Sequence, residues 1–378
     1  MSATSPVTTS ADLLHALGRL EAGDFIALDT EFMRESTYFP KLCLIQAATA
    51  DYCAVLDPLA LPDLEPLWRF LAERRRTKVL HAARQDLEVL ATATRGQPVP
   101  GPIFDTQIAA ALLGYPAQIG YGSLVAERLG HTLAKGHTRT DWTRRPLSPE
   151  QLQYAADDVH YLAPLYLDLR AALESAGRLA WLEEETSELE RLDLHRTDPD
   201  AAWRRLKGLD RLQPQQRATA KLLAQWREAA AVKHDKPRGW ILADDALREI
   251  AERLPANARE LESIRNLPPG VARRRGDEIL ALIERGRVEA VNEAAASNPP
   301  RPQPQQLALV TKLMAVARDT ALQVKINAET LATRRDVEQL VFARRTEHLL
   351  SGWRRAVIGE PLLAAARQSG LEIAEQSD

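Results

Sequence analysis

Only two cysteines, Cys43 and Cys53, occur in 378 residues, too few for a disulfide scaffold or a thiolate zinc cluster. Both lie in apolar, strand-like runs, where free buried thiols are expected. No stretch is long and apolar enough to cross a bilayer, and the amino terminus, MSATSPVTTSADLLHALGRL, lacks a basic segment followed by an apolar signal core. A cytoplasmic protein with no membrane attachment is therefore expected. Charge of neither sign dominates: 49 Lys and Arg face 52 Asp and Glu, a net charge of -3, which argues against a strongly basic nucleic-acid binder. Also missing is a glycine-rich phosphate turn after the first strand, which counts against a dinucleotide-binding dehydrogenase. With 45% hydrophobic and 27% charged residues, the chain has ample material for a core and suits two or three domains.

What is present is acid at the ends of ordered segments. Phe25, Ile26, Ala27 and Leu28 form a continuous apolar run, the pattern of a buried strand, which turns acidic at Asp29 and Glu31 with no glycine or proline between. Side chains two apart on a strand share a face, so Asp29 and Glu31 converge while Leu28 and Thr30 face away. Such an oxygen site suits hard cations, although one acidic pair at a strand end is ordinarily just solvated. Ahead of YAADDVHYL, Ser148 and Pro149 open a helix on which Tyr154 and Asp158, four apart, share a face. Asp157 lies near that face too, and spacing does not choose between the aspartates. Asp86 follows the strand-like TKVLHA near the start of another helix, where the helix dipole alone favours a carboxylate.

LDTEF, HAARQDLEVL and YAADDVHYL resemble the three motifs of the DEDD exonuclease superfamily, in the subtype with tyrosine in the third motif; the ribonuclease D family is most similar. The likeness continues through STYFPKLCLIQ, FDTQIAAALLG and HTRTDWTRRPLS. In the histidine subtype a base would stand five residues before the final aspartate, and Gln153 is there instead. The resemblance implies an α/β ribonuclease H-like exonuclease domain with a mixed sheet, and Asp158 rather than Asp157 as fourth ligand. It implies two divalent cations per site, Mg²⁺ or Mn²⁺, held by Asp29, Glu31, Asp86 and Asp158. In this scheme Asp29 bridges the pair, Glu31 and Asp158 complete the water-activating site, and Asp86 helps hold the leaving-group ion through water. Tyr154, a poor base at neutral pH, is expected to orient the attacking water. The expected activity is removal of mononucleotides from RNA 3′ ends, with tRNA precursors as substrates and no obligate protein partner. A 3′–5′ DNA exonuclease is the nearest rival, since the same acids serve both sugars; the intact acids and Tyr154 speak against an idle RNA-binding scaffold.

Lys135, His137, Arg139, Arg144 and Arg145 gather before the third motif, where they can meet a substrate backbone. KLCLIQAAT and YCAVLD read as further strands, and helices are expected from Asp86, Asp105, Ser123 and Pro149. Asp105 is expected to cap its helix, His81 to be structural, Tyr38 and Phe39 to pack on the sheet, and Trp226 and Trp240 to be core. The exonuclease domain with its connector is assigned to 1–205. Residues 206–290, with WREAAA and DKPRGWILADDALREIA, resemble the HRDC domain of RecQ-type helicases and ribonuclease D. A proline-rich linker, 291–306, precedes a diverged second copy, 307–378, so two all-α helical domains complete the chain. The arginine runs at 273–275, 334–335, 344–345 and 354–355 read singly as solvated faces. Deleting everything after Arg205 is expected to weaken binding of structured RNA more than cleavage of short strands.

Overall fold

The computed structural model describes residues 5–97, 99–133, 140–191, 198–294, 303–342 and 347–370. The chain divides into two compact units, one of Met1–Met33, Leu42–His195 and Arg301–Asp378, the other of Arg34–Lys41 and Arg196–Pro300.

The first unit is built on five strands: β1 (Phe25–Met33), β2 (Lys41–Ala48), β3 (Cys53–Leu56), β4 (Thr77–Leu80) and β5 (Ile103–Asp105), ordered β3-β2-β1-β4-β5. β1, β4 and β5 run parallel and β3 is antiparallel to β2, so the sheet is mixed. Its helices are α1 (Ser10–Leu20), α2 (Glu65–Leu71), α3 (Arg84–Ala93), α4 (Thr106–Leu112), α5 (Tyr121–Leu129), α6 (Pro149–His160), α7 (Leu162–Ser175) and α8 (Leu179–Ser187). Because β1 is apolar on both faces, helices cover both. Ile26 and Leu28 pack with Leu17 of α1, Leu67 of α2 and Leu87 of α3. Phe25 and Ala27 pack with Ala109 of α4, Leu124 of α5, Val159 of α6 and Leu165 of α7.

The second of these cores runs on into Leu309, Leu313, Leu331, Leu340 and Leu362, so the third stretch of the chain folds with the sheet and its helices as one body. Trp353 stacks on Trp181 of α8 with ring centroids 4.5 Å apart. The Arg178 guanidinium donates to the Leu112 carbonyl at 2.7 Å and to the Val324 carbonyl, joining the ends of α4 and the helix Pro304–Val324. Arg354, expected on a solvated face, is buried and pairs with Glu185 while donating to the Thr330 carbonyl. Arg344 and Arg345 lie outside the described residues.

The other unit packs the helices Pro214–His234, Asp244–Arg253 and Pro269–Ala294 around Leu223, Leu247, Ile250, Leu261 and Ile279. Two expectations are corrected here. Tyr38, expected against the sheet, belongs to this helical unit: its hydroxyl donates to the buried Glu228, and the main-chain N–H groups of Tyr38 and Phe39 both donate to Asp235 Oδ1. Trp240, expected in the core, is 61% exposed, with Lys236 Nζ 5.7 Å from its ring centroid. It sits on the four-residue helix Arg238–Ile241, too short to bury one whole face. Trp226 is partly buried against the core, its indole N–H donating to Glu278.

Candidate active site

Asp29 and Glu31 lie on β1 beyond its last registered pair with β4, Ala27 opposite Val79. The neighbouring strand therefore anchors the residues before them and leaves their side chains free to meet other elements. Asp158 arrives on α6, whose start is fixed by a reciprocal cap: the Gln151 N–H donates to Ser148 Oγ, and the Ser148 N–H donates to Gln151 Oε1. One carboxylate oxygen each from Asp29, Glu31 and Asp158 lies within 4.8 Å of the other two. Asp86, in the first turn of α3, stands outside that threesome and accepts a hydrogen bond of 2.5 Å from Thr30 Oγ1. It is nonetheless close enough to Asp29 to be the strongest of the carboxylates repelling it.

Crowding and burial disfavour charge on every one of these acids. Burial and the charges of Asp86, Asp158 and Glu31 raise the Asp29 pKa well above the carboxylate range. Burial, then Asp158 and Asp86, push Glu31 up to about 8. Burial and Asp157 take Asp158 to about 7, and burial takes Asp86 to about 6 against the lowering effect of the Thr30 hydrogen bond. Four acids gathered at this cost call for a compensating cation, and an all-oxygen donor set fits a hard divalent ion. Tyr154 stacks on Trp142 at 6.2 Å, and burial beside Asp158 and Glu31 raises its phenol pKa, which keeps it protonated.

Residues 4–174 match the 3′-5′ exonuclease family and residues 216–283 the HRDC domain family. A ribonuclease D of Nitrobacter hamburgensis is 37% identical over 361 residues, covering 95% of this chain and 94% of its own length. A ribonuclease D of Pseudomonas paraeruginosa is 38% identical over 90% of this chain and 92% of its own. The chain belongs to the ribonuclease D family. The crystal structure of Escherichia coli RNase D, described as an exoribonuclease involved in structured RNA processing, superposes with a TM-score of 0.83 at 32% identity, covering 97% of this chain and 99% of that one. As a member of the ribonuclease D family the chain is a 3′–5′ exoribonuclease, with the divalent-metal chemistry that its fold and acidic cluster imply.

In this ribonuclease D family member, Gln153 donates from Nε2 to Asp157 Oδ1 at 2.8 Å, tying the two residues to each other on the outer side of α6. Asp105 caps α4, accepting from the Gln107 and Ile108 N–H groups, and also accepts from Ala82 and Ala83. His81 bonds Thr106 Oγ1 at 2.9 Å and the Ile119 carbonyl at 3.1 Å, and burial lowers its pKa. Lys135, His137 and Arg139 lie outside the described residues. Arg145, a candidate for the substrate backbone, is instead turned inward: it holds the buried Asp57 by two bonds of 2.6 and 2.7 Å and donates to the Cys43 carbonyl. Arg144 pairs with Asp141 on the surface at 3.2 Å.

Sequence reading passes over two side chains at this site. Thr30 is one; its strand alternation marks it as facing away from Asp29, and nothing in the sequence tells that Asp86 waits there. Tyr121 is the other, its ring 5.5 Å from that of His81 and its hydroxyl donating to the Asp157 carbonyl. No spacing rule links it to the third motif.

Proposed function

We propose that this exoribonuclease trims the 3′ ends of tRNA precursors in the cytoplasm, releasing 5′-mononucleotides at a site that holds two divalent cations, Mg²⁺ or Mn²⁺. Asp29, Glu31 and Asp158 would hold one, and Asp29 with Asp86 would hold the other. The observation that carries this reading is the approach of oxygens from Asp29, Glu31 and Asp158 to within 4.8 Å of one another on two elements. When bound, the cations neutralise the phosphate, acidify the attacking water and stabilise the departing 3′-oxygen. Tyr154 keeps its proton and orients that water by hydrogen bonding, the stack on Trp142 fixing its ring. Asp29, just beyond the part of β1 that pairs with β4, would contribute to holding both ions.

Exposed Trp240, with Lys236 beside it, gives the helical unit a surface on which an RNA base stacks while the ammonium meets phosphate. The test uses 5′-labelled tRNA precursor and matched RNA and DNA oligonucleotides, with and without chelator. A metal-dependent ladder shortening from the 3′ end of RNA is the expected result. Faster digestion of DNA, or a chelator-resistant ladder, would turn the reading toward a DNA exonuclease or away from metal catalysis.

A further inference from the structure

Three of the four acids are brought together, and the fourth is held to one side. Asp29, Glu31 and Asp158 offer oxygens within 4.8 Å of one another. Asp86 is near enough to Asp29 to repel it strongly, yet it is not part of that group. The side chain that holds it is Thr30, which lies between Asp29 and Glu31 in β1 and points to the opposite face because strand side chains alternate. Thr30 and Asp86 are 6% and 8% exposed, and the bond between Thr30 Oγ1 and Asp86 Oδ1 is 2.5 Å.

We infer that Thr30 is a positioning residue for the cation pair: its hydroxyl holds Asp86 Oδ1, alongside main-chain hydrogen bonds from Thr30 and Asp86, and so sets how the carboxylate is presented to the second ion beside Asp29. This rests on the two-cation reading above. A single three-residue segment of β1 then sets both halves of the site, the odd residues through one face and the even one through the other. A buried carboxylate with free torsions can swing toward Asp29 and join a single crowded site, or turn away. The main-chain hydrogen bonds from Thr30 and Asp86 restrict it in part, and a buried, charge-assisted hydrogen bond from a β-branched side chain with stiff χ1 fixes the position of Oδ1. Hydrogen-bond partners that orient a ligand in this way typically account for about 10- to 100-fold in metal affinity.

The test is a Mn²⁺ titration of chelator-stripped full-length protein, followed by calorimetry and by electron paramagnetic resonance of free Mn²⁺. Wild type is expected to bind two ions. Thr30→Val, nearly isosteric but without the hydroxyl, is expected to keep the first ion within about threefold and to weaken the second about 10- to 100-fold. Thr30→Ser, which retains the donor, is expected to restore the second. In the exonuclease assay Thr30→Val should show a lower kcat that recovers at high Mn²⁺, with KM for RNA unchanged. Two wild-type-like ions in Thr30→Val, equal loss of both ions in a folded variant, or failure of Thr30→Ser to restore the second, each overturns the inference while leaving the two-cation reading intact. Fewer than two ions bound to wild type overturns that reading and the inference with it. If Thr30→Val does not fold, Thr30→Ala replaces it under the same criteria.

Discussion

Each carboxylate of the site is easier to protonate in the folded chain than in the unfolded one, and this has a sign. An acid whose folded pKa is raised binds protons more tightly in the native state, so stability falls as pH climbs from the unfolded value through the folded one. Ordinary values of 3.8 and 4.5 become about 6, 7 and 8 at Asp86, Asp158 and Glu31. The Tm of chelator-treated protein should therefore drop progressively between about pH 4 and pH 8. Added Mn²⁺ should raise it most at the upper end, where protons no longer occupy the oxygens. A Tm independent of pH in that window would contradict the crowding. Asp29→Asn should abolish turnover, because Asp29 stands against Asp86, Asp158 and Glu31 together. Tyr154→Phe should lower kcat by roughly 10- to 100-fold through lost orientation of water and leave Mn²⁺ affinity unchanged in the same titration.

At the scale of elements, the buried Asp57 and the loop before α6 depend on one another through Arg145. Arg145→Ala leaves a carboxylate buried without its counter-ion and should cost about 3 kcal/mol in urea unfolding, with RNA affinity unaffected if the guanidinium has no role at substrate. The same element shows what a sequence conceals. Ser148, Pro149 and the apolar spacing mark the start of α6, because capping and periodicity are local properties, and β1 is plain for the same reason. β5, with three residues, has too little chain to show an alternation. The inward turn of Arg145 depends on Asp57, 88 positions away, and the exposure of Trp240 depends on where a one-turn helix sits among its neighbours. The acids could be found from motif and strand parity, whereas the offset of Asp86 by Thr30 requires the packing of α3 on β1.

For the molecule as a whole, a deletion of everything after Arg205, expected to weaken binding of structured RNA more than cleavage of short strands, also removes part of a shared core. Leu309, Leu313, Leu340, Trp353 and Leu362 close the same apolar cluster as Phe25 and Ala27 of β1. Ending the chain at residue 300 strips that cover, and the product should lose its cooperative thermal transition and bind a hydrophobic dye. The role of the helical unit is better tested by Trp240→Ala, which removes an exposed side chain and should leave Tm unchanged. Binding of structured RNA should weaken roughly 10-fold, while cleavage of a dinucleotide stays the same.

The core that closes over β1 draws on residues far apart in the chain, Phe25 at one side and Leu362 at the other. During synthesis the strand bearing Asp29 and Glu31 leaves the ribosome long before the helices that finish its packing. A nascent chain thus carries the acids before the rest of the cluster that packs against their strand has been made.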